Sequence, residues 1–165
     1  MEREPARILV IDDDPLVRHG LREILATQGF EVEVAADGES GLARLKEEAF
    51  ALVLTDLALP GLGGMDVLQY LVGHQPECLC IIITGFGSIG SVVEAMKKGA
   101  YDYLEKPFDL DAAMTHVQRA LETTELRREM RALKAATSAP YRFACMIGQS
   151  AAMKQTKALL ARVKQ

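Results

Sequence analysis

Five polar residues stand where apolar runs end: Asp12 and Asp13 after ILVI, Asp56 after ALVLT, Thr84 after CIII, and Lys106 after DYLE. Taken alone, an acid at the tip of an apolar run is often no more than a helix cap. Four such tips in one chain read differently, because the carboxyl ends of parallel strands share one edge of an α/β sheet, where these five side chains would converge. Asp12, Asp13 and Asp56 would then gather up to three negative charges, which is unfavourable without a cation. Carboxylate oxygens with no His or Cys among them select a hard divalent ion such as Mg²⁺, which keeps part of its water shell and readily shares the rest with a phosphoryl oxygen. Lys106 adds a positive point charge and Thr84 a hydroxyl donor, both suited to the oxygens of a transferring phosphoryl group. Asp56 is left as the nucleophile, and the expected product is an aspartyl phosphate.

Such a site needs elements that deliver it. Arg7–Ile11 reads as a first strand and Pro15–Thr27 as a helix, with Asp14 as N-cap, Pro15 at the first helical position and Leu16, Leu21, Ile24 and Leu25 on its buried side. Gly29 closes that helix. Glu31–Ala35 alternates charged and apolar residues as a half-buried edge strand does, and Gly41–Glu48 has the pattern of a short amphipathic helix. A third strand carries Asp56 and is stopped by Pro60 and Gly61. Met65–Val72 follows as a helix with Met65, Leu68, Leu71 and Val72 inward, then Leu79–Ile83 as a fully buried strand, Ser91–Lys98 as a fourth helix and Asp102–Leu104 as a short fifth strand. Connections of this length are not hairpins; they imply right-handed βαβ crossovers and a doubly wound, five-stranded parallel α/β sheet. From Asp109 to about Thr137 a long helix outruns the sheet. Met114, Val117 and Leu121 can pack on it, whereas Thr123, Leu126, Met130, Leu133 and Thr137 follow the alternating three-and-four spacing of a coiled coil, and Thr137 to Pro140 are expected to end the helix.

Length and composition set bounds on this reading. At 165 residues, 49% hydrophobic and 25% charged, the chain suits one well-cored domain with a remainder. No apolar run approaches membrane-spanning length and the start of the chain is charged, so a cytoplasmic location is expected. The net charge of −4 is unevenly spread: residues 1–110 hold 19 acidic and 9 basic side chains, residues 111–165 hold 4 and 10. The acidic part is a poor nucleic-acid binder, and the basic part lacks aromatic interleaving, so a solvated helix face explains its charge. Cys78, Cys80 and Cys145 form no even disulfide framework, and the first two are expected to pack on one face of a strand. His19 and His116 read as surface residues without an acidic or Cys partner at ligand spacing.

The Asp12–Asp13 pair, the single Asp56 before L-x-L-P-G, the Thr84–Gly85 pair and the Lys106-Pro107-Phe108 run together resemble the receiver domain of bacterial two-component response regulators, over about residues 5–125. The resemblance implies a flavodoxin-like strand order 2-1-3-4-5. It further implies Mg²⁺ bound by Asp13, by Asp12 through water, by Asp56 and by the Ala58 carbonyl. Asp56 would be the phosphoacceptor, Lys106 the phosphate-binding lysine, Thr84 and Tyr103 the switch pair, and Lys106–Pro107 a candidate cis bond. GSIGSVVEAMKKGAYDYLEKPFDLD is similar to the NtrC-type receivers of sigma-54-dependent activators, and FACMIGQSAAMKQTKALLARV resembles the entry to their AAA+ ATPase core. The implied organisation is a receiver over 1–122, a helical linker over 123–139 and the start of an ATPase domain over 140–165. Neither a G-x-x-x-x-G-K-[ST] phosphate loop nor a DNA-binding helix pair is present in the sequence, so ATP, DNA and sigma-54 RNA polymerase would be engaged only through domains outside these residues, with a sensor histidine kinase as phosphodonor. Two features depart from the pattern: Gly63 stands where an acidic or Ser cap is frequent, and Gly90 falls at the start of the fourth helix, weakening it by up to about 1 kcal/mol. Gly87 and Gly90 together fit a helix that shifts when Thr84 moves.

Three rivals compete with this reading. A haloacid-dehalogenase-like phosphatase also uses Asp, Mg²⁺, Ser or Thr and Lys, but its nucleophile ends the first strand and an acid–base Asp follows two residues on. Here Asp56 lies on the third strand and Ala58 follows, so the general acid for turnover is missing and a phosphoacceptor, not an enzyme acting on an external substrate, is expected. A flavodoxin-like FMN protein would not need the acidic cluster, and an unphosphorylated interaction module would not need all five edge residues. Leu126, Met130 and Leu133 form an apolar seam expected to pair with its copy in a homodimer, helped by the surface around Val92, Met96 and Tyr101.

Overall fold

The computed structural model describes residues 3–85 and 89–146, with side chains up to residue 136. Strands and helices alternate: β1 Arg7–Ile11, α1 Pro15–Thr27, β2 Glu31–Ala35, α2 Gly38–Glu47, β3 Leu52–Asp56, α3 Gly64–His74, β4 Leu79–Thr84, α4 Ile89–Lys98, β5 Asp102–Glu105 and α5 Leu110–Met146. The strands form one parallel sheet in the order β2-β1-β3-β4-β5. The expected strand order and doubly wound architecture are therefore present. The chain divides into two units, Met1–Thr124 and Glu125–Gln165, and the sheet belongs to the first.

Alternation along the strands builds two cores. Leu9, Ile11, Val53, Cys80 and Ile82 face one side, where Leu45 of α2, Val67, Leu68 and Leu71 of α3 and Ala95 of α4 cover them. Ile8, Val10, Leu52, Leu54, Ile81 and Ile83 face the other, covered by Leu21 and Leu25 of α1 and by Ala113, Met114, Val117 and Ala120 of α5. Each large aliphatic side chain removed from water contributes about 1.5–3 kcal/mol, which is why β1, β3 and β4 are apolar on both faces. Cys78 and Cys80 pack together in the first core as free thiols, and burial pushes the Cys78 thiol up to about 12 and that of Cys80 higher still. Neither is poised as a nucleophile.

Several local expectations need correction. Leu16 is 80% exposed, because at about 3.6 residues per turn it lies about 140° round the helix from Leu21 and on the side opposite Leu25. In α3, Leu68 and Leu71 are buried as expected and Val67 joins them, while Val72 is 49% exposed at the rim. Helix α2 begins three residues earlier than its apolar pattern suggests, since Asp37 caps it through the Ser40 amide. Helix α5 does not end at Thr137–Pro140 but continues to Met146. Pro140 therefore lies inside the helix, where a proline gives up one backbone hydrogen bond and crowds the carbonyl four residues earlier at about 3 kcal/mol, the penalty behind the expected helix end. Gly87 and residues 147–165, including most of the segment resembling an ATPase entry, lie outside the described residues.

Candidate functional site

The acidic edge begins where β1 stops. Asp12 is fully buried; its amide donates to the Ala35 carbonyl at 3.1 Å and its Oδ1 accepts the Asp14 amide at 2.8 Å. Asp14 in turn caps α1 by accepting the Leu16 amide at 2.9 Å, so two short polar side chains fold the β1–α1 connection tightly enough to leave Asp13 exposed at its crest. Asp56 is the last residue of β3, 5% exposed, and its Oδ1 accepts the Ala58 amide at 3.0 Å. Lys106 enters from beyond β5. Its Nζ lies 2.8 Å from Asp56 Oδ2 and 2.9 Å from Asp12 Oδ2. The bond to Asp56 is well directed, whereas Asp12 Oδ2 is buried with no directed hydrogen bond despite the ammonium nearby.

Electrostatics at this edge follow from burial. Desolvation raises the Asp12 carboxyl above its ordinary value, Lys106 and the Asp14 amide pull it back, and the neighbouring charge of Asp56 pushes it up again. For Lys106, burial pulls the ammonium down, but its bonds to Asp56 and Asp12 outweigh that and hold it above the ordinary lysine range. The lysine is therefore a fixed positive charge. Carboxylate oxygens of Asp12, Asp13 and Asp56 lie within 4.8 Å of one another, and no nitrogen or sulfur ligand joins them in that group.

The loop carrying Ala58 is held by close backbone approach. Gly61 takes a left-handed φ of 75°, and Gly64 sits so near Asp56 that a Cβ there would lie 2.3 Å from the Asp56 carbonyl oxygen. Gly38, at the start of α2, leaves the same kind of room for the Leu62 carbonyl, at 2.1 Å from a notional Cβ. Gly63 is the N-cap of α3 and offers no side chain, but Asp66 supplies the reciprocal half of a capping box by accepting the Gly63 amide at 3.0 Å. These glycines were not marked as part of the site by sequence reasoning; the Gly63–Gly64 pair beside the Asp56 strand was the available signal.

Thr84 ends β4, 3% exposed, with its hydroxyl 3.2 Å from the Gly85 carbonyl, and its own carbonyl accepts the Lys106 amide at 2.7 Å. That backbone bond ties the threonine to the lysine. Tyr103 is 44% exposed on β5, in register with Ile82, so Thr84 and Tyr103 lie on adjacent strands near the same edge. The Lys106–Pro107 peptide is cis. Tyr101, expected on the surface, instead packs against the second core and its hydroxyl meets Thr123 Oγ1 at 3.1 Å. His19 and His116 have acidic partners that the sequence reading lacked: His19 lies 3.1 Å from Glu23 along α1, and His116, part-buried on α5, lies 2.5 Å from Asp102 of β5. The first pair is an ordinary i,i+4 contact; the second depends on β5 and α5 being neighbours, which sequence spacing does not reveal.

A family profile described as the response regulator receiver domain matches residues 8–118. The chain belongs to the response regulator receiver family. Its curated relatives include the nitrogen assimilation regulatory protein NtrX of Azorhizobium caulinodans, 37% identical over 94% of this chain and 34% of that protein. Another is the C4-dicarboxylate transport transcriptional regulatory protein DctD of Pseudomonas aeruginosa, 36% identical over 92% of this chain and 33% of that one. These are NtrC-type regulators, and the chain spans about a third of the length of the curated relatives it matches. Among solved structures, NtrX from Brucella abortus superposes with a TM-score of 0.77 at 36% identity, over 97% of this chain and 35% of that one. A receiver domain protein from Methanospirillum hungatei covers 75% of this chain and 99% of its own, at 31% identity and a TM-score of 0.72. Neither the phosphatase nor the flavin reading finds support in these matches.

The receiver's edge fits a hard divalent cation. Lys106 supplies one positive charge against three carboxylates, and with Asp12 Oδ2 buried and accepting no directed hydrogen bond the oxygens retain capacity for an oxygen-ligated ion. No helix among the described residues is long and apolar enough to cross a membrane.

Proposed function

We propose that this receiver accepts a phosphoryl group on Asp56 from the phosphohistidine of a sensor kinase in the cytoplasm, and that the modified domain controls an attached sigma-54-type activator. The observation that carries the reading is the Asp56 carboxylate itself: nearly buried, at a strand tip, facing the Lys106 ammonium at 2.8 Å and grouped with Asp12 and Asp13. Asp12, Asp13, Asp56 and the Ala58 carbonyl would hold Mg²⁺, whose charge neutralises the acidic group and the phosphoryl oxygens. A carboxylate oxygen of Asp56 donates an electron pair to phosphorus, forming the O–P bond, as the phosphorus–nitrogen bond breaks; the departing imidazole nitrogen keeps the electron pair of that broken bond and takes up a proton from solvent. The Ala58 amide steadies Asp56 Oδ1 through this step. Lys106 then trades its bond to Asp56 for one to a phosphoryl oxygen, and Thr84 turns its hydroxyl toward the same group.

Two consequences extend beyond the edge. Because the Lys106 amide is bonded to the Thr84 carbonyl, movement at either residue would be felt along β4 and β5, where Tyr103 stands 44% exposed. In the proposed organisation the receiver covers 1–122, a helical linker 123–139 and the start of an ATPase domain 140–165. Leu126, Met130 and Leu133 form the seam of a homodimer, and DNA, ATP and sigma-54 polymerase are engaged by further domains.

Incubation with Mg²⁺ and a small phosphodonor, followed by intact-mass measurement, tests the central step. One phosphoryl group is expected, stable in acid and labile in base, and Asp56→Asn is expected to abolish it. Full phosphorylation of the Asn variant overturns the assignment.

A further inference from the structure

Arg18 closes the first turn of α1, part-buried, and its Nη1 donates to the Asp12 carbonyl oxygen at 2.7 Å. That oxygen belongs to the peptide joining Asp12 to Asp13. The surrounding bonds fix other points of the same turn: the Asp12 amide on the Ala35 carbonyl, the Asp14 amide on Asp12 Oδ1, and the Asp14 side chain on the Leu16 amide. Asp13 sits between these anchors with its side chain exposed, so no packing holds its carboxylate in place. What aims it is the backbone beneath.

A peptide unit is planar and rigid, so holding its oxygen fixes the path of the chain through both flanking α-carbons. A guanidinium donor makes this a charge-assisted bond, stronger than a neutral one. We infer that Arg18 is a positioning residue for Asp13: by holding the Asp12–Asp13 peptide, it directs the exposed carboxylate toward Asp12 and Asp56. The inference deepens the metal-dependent phosphoryl acceptance proposed above and rests on it.

Arg18 is also a positive charge close to the cation site, and that acts in the opposite direction. If charge dominated, removing the arginine would strengthen cation binding. At this short range salt screens the charge only in part, but an interaction between partly solvated charges typically changes binding by less than about tenfold, whereas loss of a partner that orients a ligand typically costs about 10- to 100-fold in metal affinity. Positioning therefore dominates.

The test uses the full chain and Mg²⁺ titrations followed by amide resonances, with Arg18→Ala, Arg18→Lys and Arg22→Ala. Arg22 lines the same groove on α1 as Arg18 and serves as the charge control. Arg18→Ala is expected to weaken Mg²⁺ binding about tenfold. Arg18→Lys, which can reach the carbonyl with a single donor, is expected to recover part of the loss, and Arg22→Ala to match the parent. Before any Mg²⁺ is added, the Asp13 and Asp14 amides are expected to shift and to exchange faster in Arg18→Ala alone. Should the alanine variant fail to fold, Arg18→Gln takes its place. Unchanged or tighter Mg²⁺ binding by the Arg18 variant, equal losses in the Arg18 and Arg22 alanine variants, or unaltered Asp13 and Asp14 amides overturn the inference. A parent protein that binds no Mg²⁺ overturns the metal reading instead, and the amide comparison still decides whether Arg18 holds this turn.

Discussion

Lys106 faces two carboxylates, one fully buried and one nearly so, and each would otherwise be a charge in the interior with little water to solvate it. Breaking a buried pair by deleting one partner costs about 3–5 kcal/mol; with the lysine side chain itself 25% exposed, Lys106→Ala is expected to cost less, about 2 kcal/mol. Mg²⁺ can take over the lost charge, so the deficit should narrow when it is added. Asp13 provides the contrast, because it is exposed and carries no comparable structural duty. Asp13→Ala is therefore expected to leave stability near that of the parent while weakening Mg²⁺ binding more than Lys106→Ala does. Urea denaturation of both variants with and without Mg²⁺ separates the roles; a Lys106 variant as stable as the parent in the absence of Mg²⁺ contradicts this account.

Among the elements, the connection between β3 and α3 shows how closely the site depends on backbone packing. Gly64 brings the first turn of α3 against the Asp56 carbonyl, and no side chain stands in that gap. Gly64→Ala must push the helix or the strand tip aside, and is expected to destabilise the domain by roughly 1–3 kcal/mol. Gly90 is the counterexample within the same fold. It lies in the first turn of α4 with nothing within 4 Å of a notional Cβ, and α4 buries only Ala95. There the alanine fills open space and lowers the backbone entropy of the unfolded chain, so Gly90→Ala is expected to stabilise by up to about 1 kcal/mol. Denaturant midpoints at unchanged slope report both signs. If Gly90→Ala stabilises α4 yet slows the response to phosphorylation, helix mobility is part of the switch.

On the scale of the whole molecule, the apolar seam of α5 is what a second copy would cover. Leu126, Met130 and Leu133 are 60%, 57% and 65% exposed, one after another along α5. Such a stripe on a helix otherwise rich in Arg and Glu loses solvation free energy unless a partner covers it. Two heptads bury too little to hold a dimer by themselves, and Val93, Met96 and Tyr103 offer further exposed apolar surface on α4 and β5. Tyr101 contributes less than its sequence suggested, since its ring packs inward and its hydroxyl is engaged by Thr123. Sedimentation of unmodified and phosphorylated protein is expected to show a dimer whose strength changes with phosphorylation, because modification and assembly are thermodynamically linked. Leu126→Glu/Leu133→Glu is expected to weaken it. A monomer in both states, or a double variant that associates like the parent, would leave α5 as a spacer.

By itself the sequence determined the alternation of strands and helices, the fully apolar central strands and the chemistry-bearing residues at their tips. These are local properties: periodicity and the end of an apolar run depend on neighbours along the chain. Tertiary structure decided what depends on neighbours across it. Val72 is apolar and in helical phase with Leu68, yet half exposed, because the width of the covered face is set by the sheet below and not by the helix. Gly38 and Gly64 matter through the carbonyls of Leu62 and Asp56 that approach them, and His116 finds Asp102 only because α5 returns beside β5. Arg18 and Asp12 are six residues apart, but a guanidinium can bond a carbonyl at that separation only once Asp14 and Pro15 have turned the chain into α1. A side chain's type is written in one position; its partner is fixed by the path the backbone takes between two.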